Sequence, residues 1–161
     1  MTAFAPQTDL AGYRRALGAF ATGVTVVTTM TAAGPVGITA NSFASVSLDP
    51  PLILWSPAKA SGRFATFRDA PGFAVHVLQA GQQALSDRFT RSRDAFAGLD
   101  WALSAQGHPA LAGCLARFDC ATHAQHDAGD HLVILGQVLD VVRLDGDPLV
   151  FHAGRFGGFQ G

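Results

Sequence analysis

The most informative segment of this 161-residue chain joins a strand to a rigid turn and reads Gly37-Ile38-Thr39-Ala40-Asn41-Ser42-Phe43-Ala44-Ser45-Val46-Ser47-Leu48-Asp49-Pro50-Pro51. It holds five small hydroxyl or amide side chains ahead of a double proline. Short donors and exposed backbone N–H groups can bind an anion without a lysine cluster, and small side chains let the backbone approach a ligand closely. The segment therefore predicts a phosphate-binding edge in a chain that has only 11 lysine and arginine residues.

The composition predicts a single domain over residues 1–161, with residues 1–8 as a flexible tail. Hydrophobic residues make up 48% of the chain, which is enough for one core. Charged residues make up only 14% and the net charge is -1, so neither nucleic acid nor an anionic membrane surface is expected as a partner. So few charges also favour burial of apolar surface between two copies, and we expect a homodimer.

The ends and the cysteines of the chain point to a cytoplasmic protein. Residues 1–9 have no basic start and no continuous apolar run, and no window is long enough to span a bilayer. Cys114 and Cys120 are six residues apart in a predicted strand, about 20 Å from each other on one face, so they are not expected to pair. Reduced, packed thiols are expected instead.

Hydrophobic periodicity predicts short helices among many strands. Apolar residues recur at steps of three and four after Asp9, a candidate N-cap, and predict an amphipathic helix over residues 9–21. Residues 24–30 are rich in β-branched side chains and turn at residues 33–35 into a second strand at 36–40, which indicates a hairpin. Further strands are predicted at Leu52–Ser56, Gly72–Leu78, Leu115–His123, His131–Val142 and Leu149–His152, and further helices at Ala60–Asp69 and Gln82–Phe89.

The order of these elements predicts a mainly β fold. Strands joined by turns or short helices favour a mostly antiparallel β-barrel with short helices over a doubly wound parallel sheet. The segment Arg91–Pro109 is the least regular and is expected to be a mobile lid or a surface excursion. Ser45 and Ser47 are two residues apart, so we expect them to share one face of a strand, with Val46 on the other.

Motifs in four parts of the chain, in this order, resemble those of the short-chain flavin reductases, the reductase components of two-component flavin-dependent monooxygenases. They are Phe20-Ala21-Thr22-Gly23-Val24-Thr25-Val26-Val27-Thr28, Thr39 to Pro51, Gly129-Asp130-His131, and Pro148-Leu149-Val150-Phe151 with Gly154-Arg155-Phe156. The resemblance implies an FMN-binding split barrel, Greek-key-like and homodimeric. It also implies reduction of FMN or FAD by NADH or NADPH, with the reduced flavin passed to a separate oxygenase.

The resemblance further implies roles for individual residues. His131 is placed on the nicotinamide side, where it would position the nucleotide and could deliver a proton to reduced flavin, while Asp130 or a backbone carbonyl fixes its tautomer. Arg155 and Phe156 would contact the nicotinamide nucleotide by phosphate binding and stacking, although the family has a tyrosine in place of Phe156. The residues expected at the flavin are Thr22, Gly23, Val24, Thr39, Ala40, Asn41, Ser42, Ser45, Val46, Ser47, Lys59, Ala60, Ser61 and Phe89. For Phe89, core packing is the favoured alternative.

The chemistry of this reaction suits the residue types present. Hydride transfer between two bound rings needs no side-chain nucleophile, only stacking of the reacting atoms at about 3–3.5 Å. Negative charge then develops near the flavin N1 and C2 carbonyl, and we expect donors there from Asn41, Ser42 and the backbone of residues 39–40. Residues 59–61 are expected beside the phosphate, with a solvated loop charge as the alternative for Lys59.

Other interpretations stay open. The chain could be a non-catalytic flavin-binding protein, or a split-barrel oxidoreductase that acts on cobalamin, a ferric chelate or another acceptor. A zinc site is a weaker alternative, because the spacing fits no closed zinc motif and residues 123–129 are interpreted as a polar turn with incidental histidines, so no metal is predicted. The candidate zinc ligands are Cys120, His123, His126, Asp127, Asp130 and His131.

Overall fold

The computed structural model describes residues 3–92 and 94–159, and in them a mainly β fold with three short helices. The helices are α1 (Leu10–Gly18), α2 (Phe64–Asp69) and α3 (Gln83–Arg91), with a 3-10 turn at Ala80–Gln82. The strands are β1 (Thr22–Gly23), β2 (Thr25–Thr31), β3 (Gly34–Ala40), β4 (Ala44–Leu48), β5 (Pro51–Trp55), β6 (Gly72–Val77), β7 (Trp101–Leu103), β8 (Pro109–Leu111), β9 (Ala116–Ala128), β10 (His131–Arg143), β11 (Leu149–His152) and β12 (Arg155–Gly158). Met1 and Thr2 of the predicted tail, and Arg93 of the predicted excursion, lie outside the described residues.

The main sheet has seven strands, ordered β3-β2-β6-β9-β10-β5-β4, and its strand pairs are antiparallel. The pairs β2–β3, β4–β5 and β9–β10 are hairpins, and longer connections place β6 and β5 beside strands that are distant in sequence. This non-sequential order is the Greek-key-like, mostly antiparallel arrangement predicted above. Two smaller sheets, β1-β11-β12 and β7-β8, complete the fold.

The β2 strand separates two hydrophobic cores. Val26 and Val27 are fully buried and, as neighbours in a strand, point to opposite faces. Val26 packs in what we call the outer core, with residues of α3, β8 and β11, whereas Val27 packs in the inner core, with residues of β5, β6, β9, β10 and α2. Both faces of β2 are therefore covered, as its β-branched run predicts.

Gly37 in β3 allows α3 to pack closely on the sheet. A Cβ atom at Gly37 would lie 2.4 Å from Cε1 of Phe89 and 3.3 Å from Cε2 of Phe96. Phe89 is fully buried, and its ring meets that of Phe96 edge to face with 5.1 Å between centroids. Two residues further along β3, the Thr39 hydroxyl donates to the backbone carbonyl of Ser86 at 2.6 Å. These contacts fix α3 against the end of β3.

The first helix is shorter than predicted, and its apolar face is uncovered. The predicted N-cap is confirmed, because Oδ1 of Asp9 accepts a hydrogen bond from the backbone N–H of Gly12 at 2.7 Å. The helix ends at Gly18, before the predicted boundary at residue 21. Its apolar positions Leu10, Tyr13 and Leu17 are exposed, as is Phe20 just beyond the helix, to 78%. Periodicity thus identified an apolar stripe that the described part of the chain does not cover.

The expectation that the two cysteines share one face of a strand is wrong. Cys114 precedes β9 and packs in the outer core, whereas Cys120 lies in β9 and packs in the inner core. Both thiols are free and buried, and burial raises the pKa of Cys114 to about 11 and that of Cys120 to about 12. Neither is a thiolate at neutral pH, so both are packing residues, as predicted.

His76 links three strands from the interior. It is fully buried in β6, its Nδ1 lies 3.1 Å from the carbonyl oxygen of Val26 in β2, and its Nε2 accepts the backbone N–H of Leu111 in β8 at 3.1 Å. Only a neutral imidazole with its proton on Nδ1 satisfies both contacts. Burial lowers the pKa of His76 to about 4, so the ring stays neutral in the folded protein.

We expect the free energy of unfolding to fall as the pH is lowered from 6.5 towards 4. Because the pKa of His76 is about 4 in the folded state and 6.5 ordinarily, the unfolded chain binds an extra proton in this interval. That proton costs about 3 kcal/mol of stability across the interval. Urea unfolding at several pH values measures the loss, and His126→Gln, an exposed histidine of β9, should retain it. A flat profile between pH 7 and 4 would contradict the expectation.

Candidate active site

Two adjoining cavities open at the end of β3 and share Thr39, Ala40 and Asn41 as a common wall. The first, which we call the aromatic cavity, has a volume of about 310 Å³. The second, the loop cavity, has a volume of about 210 Å³. The aromatic cavity is completed by Val24, Ser86, Asp87, Thr90, Phe151 and Phe156. The loop cavity is completed by Ile38, Ser42, Trp55, Ser56, Pro57, Ala58, Ser61 and His131.

The aromatic cavity is lined both by hydroxyl-bearing residues and by two phenyl rings. Phe151 of β11 and Phe156 of β12 are cross-strand partners whose ring centroids are 5.2 Å apart. Ser86 and Thr90 are four residues apart in α3 and therefore share one face of the helix. The Thr90 hydroxyl donates to the carbonyl of Ser86 at 2.9 Å. Apolar walls with a few fixed polar groups are typical of sites for flat heteroaromatic ligands.

The loop cavity forms because residues 57–61 pair with the turn between β9 and β10. The backbone N–H of Lys59 donates to the carbonyl of Asp130 at 2.8 Å, and Ala58 forms an isolated antiparallel bridge with His131. This pairing brings Ser61 and His131 to the same cavity. The helix predicted at residues 60–69 therefore starts late, since α2 begins only at Phe64, and it ends at Asp69 as predicted.

Two buried polar atoms in the walls have no hydrogen-bond partner within residues 3–92 and 94–159. They are Nε1 of Trp55, in a residue of the loop cavity, and Oγ of Ser86, in a residue of the aromatic cavity. Leaving such a buried donor unpaired costs about 1–3 kcal/mol. Each is therefore a position at which a ligand atom would be stabilised. Thr22 Oγ1 is also buried without a partner there, but Thr22 lines neither cavity.

His131 lies at the loop cavity with its ring held by a neighbouring carboxylate. Its Nδ1 is 2.7 Å from Oδ1 of Asp130, and its side chain is 42% exposed. Hydrogen bonding to His131 holds the pKa of Asp130 below its usual value. This is the contact that we expected to fix the tautomer of His131. The other ring nitrogen, Nε2, has no hydrogen bond to the described residues and is available to a ligand.

Lys59 forms an ion pair with Asp127 and does not line the loop cavity. Its ammonium group donates to Oδ1 of Asp127, near the end of β9. The lysine is thus neither a freely solvated loop charge nor, in this conformation, part of the cavity wall. Asp127 and the pairing of residues 57–61 together tie the loop to the β9–β10 hairpin.

The structure brings many of the predicted site residues together and leaves the others apart. Those that line one or both cavities are Val24, Thr39, Ala40, Asn41, Ser42, Ser61, His131 and Phe156. Those that line neither are Thr22, Gly23, Ser45, Val46, Ser47, Lys59, Ala60, Phe89 and Arg155.

One alternative for this region is supported and one expectation needs correction. Phe89 is fully buried in the outer core, which supports the core-packing alternative, and it does not line either cavity. Ser45 pairs with Ile53 and Ser47 pairs with Leu52, which makes Val46 the extra residue of a β-bulge. Successive residues of β5 point to opposite faces, so the two serines do so as well. The expected shared face for these serines is therefore wrong.

Arg155 lies in a groove next to the aromatic cavity. The groove has a volume of about 480 Å³, and Phe156 belongs to both. Residues 154–159 were expected to form a glycine-flanked loop, but Arg155–Gly158 is the strand β12, in which Arg155 pairs with His152 of β11. The guanidinium forms no ion pair with any described residue. Of the residues expected on the nicotinamide side, Arg155 and Phe156 therefore share this groove, whereas His131 lines the loop cavity.

The alternative metal ligands are dispersed. His123, His126 and Asp127 belong to β9, which continues to Ala128, so the predicted polar turn is wrong. Cys120 is buried in the inner core. Across the described ranges, no group of three or more histidine, cysteine, aspartate or glutamate residues is arranged to hold a metal ion.

Comparison with known proteins identifies the family. The profile of the flavin reductase like domain matches residues 17–160. The chain belongs to the flavin reductase family. This flavin reductase homologue is 59% identical over 148 residues to the FMN reductase (NADH) SmoA of Agrobacterium fabrum, a match that covers 92% of this chain and 85% of SmoA. It is 42% identical over 150 residues to HsaB of Rhodococcus jostii, the reductase subunit of a flavin-dependent monooxygenase, with coverage of 92% and 77%.

Solved structures of the flavin reductase family have the same fold. The NADH:FAD oxidoreductase SgcE6 of Streptomyces globisporus, solved in complex with NAD and FAD fragments, matches with a TM-score of 0.93 at 40% identity, covering 99% of this chain and 98% of that one. BorF, the flavin reductase component of a bacterial two-component tryptophan halogenase, matches with a TM-score of 0.87 at 41% identity and coverage of 93% and 98%. The predicted family and split-barrel fold are confirmed.

Sequence reasoning missed the part of this flavin reductase site that α3 and β11 supply. The residues concerned are Ser86, Asp87, Thr90 and Phe151. The four-residue spacing of Ser86 and Thr90 would have been a usable signal, since it places two hydroxyls on one helix face, but the predicted helix ended at Phe89, one residue before Thr90. Nothing local indicated that this face meets the end of β3.

Within the described residues, the structure has no helix that is long and apolar enough to cross a membrane.

Proposed function

We propose that this chain is an NADH-dependent flavin reductase that transfers a hydride from the nicotinamide to FMN or FAD and supplies the reduced flavin to a separate monooxygenase. Its relatives include an NADH-dependent FMN reductase, which supports the reaction, and a reductase subunit of a flavin-dependent monooxygenase, which supports the supply of reduced flavin to an oxygenase. The assignment of the flavin site rests on the two cavities that share residues 39–41. Each cavity has a lining residue with a buried, unpaired polar atom.

The residues present fit a flavin nucleotide. The aromatic cavity combines phenyl rings with hydroxyl groups, which suits a ring that is flat and apolar on its faces and polar along one edge. The loop cavity offers the hydroxyls of Ser42 and Ser61, which suit ribityl and phosphate oxygens. Trp55 Nε1 and Ser86 Oγ would gain the partners that they lack. A bound flavin supplies the ring that accepts the hydride.

The residues of the chain contribute position and electrostatics. The Asn41 amide and the backbone of Thr39 and Ala40 form the shared wall, where fixed dipoles would stabilise developing negative charge without reorganising. Phe151 and Phe156 exclude water from one side of the aromatic cavity. His131, oriented by Asp130, would hold the nicotinamide nucleotide at the adjoining loop cavity.

We expect His131→Ala to raise the KM for NADH more than the KM for FMN. Loss of one ligand hydrogen bond corresponds to about a 5- to 10-fold increase in the KM for NADH, because Nε2 is the free nitrogen at the cavity. Steady-state NADH oxidation with each substrate varied in turn measures both constants. His126→Ala, which removes an exposed imidazole of β9, is the matched control and should change neither. Equal changes in both constants would argue against a nicotinamide role for His131.

A matrix of two nicotinamides against three flavins tests the proposed function. With purified protein, NADH or NADPH is combined with FMN, FAD or riboflavin, and copurifying flavin is measured beforehand. Consumption of NADH that saturates with added flavin supports the reductase. A bound flavin that stays oxidised under excess NADH would instead indicate a flavin-binding protein. Turnover with a ferric chelate or cobalamin in the absence of flavin would indicate another acceptor.

We also infer that the protein is a homodimer in the cytoplasm. Apolar side chains are exposed on consecutive residues at the end of β10 and on β4, where Leu48 is 97% exposed, in addition to the stripe on α1. Contiguous exposed apolar patches are typical of association surfaces. The free, buried thiols of both cysteines support a reducing compartment. Sedimentation analysis that finds only monomer at micromolar concentration would contradict the dimer.

A further inference from the structure

We propose that Asp87 makes the aromatic cavity bind oxidised flavin in preference to reduced flavin, and so favours release of the product to the oxygenase. Ser86, the preceding residue of α3, supplies a hydroxyl that binds the ring in both oxidation states. The inference rests on the proposed function, because it assumes that the flavin ring occupies the aromatic cavity.

The charge of Asp87 is uncompensated where it lies. The side chain is half-buried in the wall of the aromatic cavity. Within residues 3–92 and 94–159, its carboxylate forms neither a hydrogen bond nor an ion pair. None of the described residues that line this cavity is basic. A ligand there therefore meets one full negative charge beside apolar walls, where electrostatic interactions are stronger than in water.

Ser86 supplies the second, independent indication that a ligand belongs at this place. Its side chain is fully buried, and its Oγ has no partner within the part of the chain that is described. Its backbone carbonyl accepts the hydroxyls of Thr39 at 2.6 Å and Thr90 at 2.9 Å, so the peptide is fixed from both sides. The hydroxyl of Ser86 therefore remains available to a ligand. Because Thr39 hydrogen-bonds to the backbone of Ser86, the neighbouring residue Asp87 is held at a fixed position relative to the shared wall.

Hydride transfer changes the charge of the flavin ring, and this change is why the carboxylate of Asp87 can distinguish the two oxidation states. A hydride carries two electrons and one proton: the C4–H bond of the nicotinamide breaks, an N–H bond forms at the flavin N5, and the nicotinamide becomes a cation. The reduced flavin ring therefore has one more negative charge than the oxidised ring until it takes up a further proton. Asp87 repels this anion but not the neutral oxidised ring. The neutral dipoles of the shared wall offset part of the repulsion during transfer.

Binding of FMN in its two oxidation states tests the proposal without measuring turnover. Dissociation constants are determined for oxidised FMN and, under anaerobic conditions, for photoreduced FMN. The unmodified protein should bind the oxidised form about tenfold more tightly. In Asp87→Asn, the affinity for reduced FMN should rise about 5- to 10-fold while that for oxidised FMN changes less than about twofold. The midpoint potential of bound FMN should rise by about 20–30 mV, since a tenfold change is about 30 mV for a two-electron couple.

Three further variants separate charge from position. Asp87→Glu keeps the charge and should keep the preference for oxidised FMN. Ser86→Ala should weaken both oxidation states by the same factor, about 3- to 10-fold, because a hydroxyl contacts the ring irrespective of its charge. Asp100→Asn removes an exposed carboxylate outside the cavity and should change neither constant. Thermal unfolding confirms that each variant is folded.

The outcomes distinguish this inference from the proposed function. If the unmodified protein reduces FMN with NADH but Asp87→Asn changes the two affinities equally or not at all, the role of Asp87 is refuted and the reductase assignment stands. Loss of the preference in Asp87→Glu would also refute it, because the charge is still present. If the unmodified protein neither binds nor reduces FMN or FAD, the proposed function itself fails.

Discussion

Replacing Asn41 by leucine is expected to weaken FMN binding about 30- to 100-fold. Asn41 is the residue at which the aromatic cavity and the loop cavity meet, and it lines both. Its amide can donate and accept at the polar edge of a flat ring, whereas leucine can do neither and its branched end would clash with the ring. The loss of one or two ligand hydrogen bonds, together with the clash, corresponds to about 2–3 kcal/mol. Titration of protein with FMN, followed by the quenching of flavin fluorescence, measures the change.

The design of this variant keeps folding separate from binding. Asn41 is exposed, so leucine should not alter the free energy of unfolding by more than about 0.5 kcal/mol. Gln106→Leu, in the exposed turn between β7 and β8, makes a similar surface change far from both cavities in sequence and is the control. Unchanged FMN affinity in Asn41→Leu would remove the shared wall from the flavin site.

Replacing Asp119 by alanine is expected to reduce the free energy of unfolding by about 3–5 kcal/mol. Asp119 is fully buried in β9, and its carboxylate accepts hydrogen bonds from Nε of Arg117 at 2.7 Å, from Oγ of Ser104 at 2.7 Å and from Nδ1 of His108 at 3.1 Å. Burial opposes its ionisation, but hydrogen bonds from His108, Ser104 and Arg117 lower the pKa of Asp119 to about 2. Alanine would leave a largely buried guanidinium without its counter-ion. Urea unfolding at pH 7 measures the loss.

The cross-strand neighbour of Asp119 provides a matched control. Asp140 of β10 is in register with Asp119 but is exposed, so Asp140→Ala should cost less than about 1 kcal/mol. Asp119→Ala should also leave the FMN affinity of the folded protein within about twofold, because Asp119 lines neither cavity. A loss of stability similar to that of Asp140→Ala would show that the buried cluster contributes little.

The parts of the fold that depend on neighbours in sequence were predictable. The β2–β3 hairpin follows from a β-branched run and its turn, and the N-cap at Asp9 follows from local hydrogen bonding. The β-bulge at Val46 was not predictable, because a bulge is defined by the register of the partner strand β5. The late start of α2 has the same origin, since residues 57–61 pair with a turn that lies about 70 residues further along the chain.

In the candidate site, too, residues in local sequence motifs were predictable, whereas residues brought there by packing between distant elements were not. Residues 39–42 and His131 were predicted because each lies in a short motif that resembles the family. Ser86 and Asp87 were missed because the packing of Phe89 against Gly37 is what brings their helix to the site, and no local pattern reports that contact. Phe89 was predicted to pack in the core or, as a weaker alternative, to contact the flavin, because an apolar ring near a motif has the same appearance in sequence in both cases; its burial supports core packing.

The absence of a side chain at Gly37 reaches further than the packing of two rings. It lets α3 pack against β3 at a distance that a larger residue would not permit, and both elements supply residues to the wall of the aromatic cavity. A side chain at Gly37 would therefore displace the helix that carries Ser86, Asp87 and Thr90 without replacing any residue that lines the cavity.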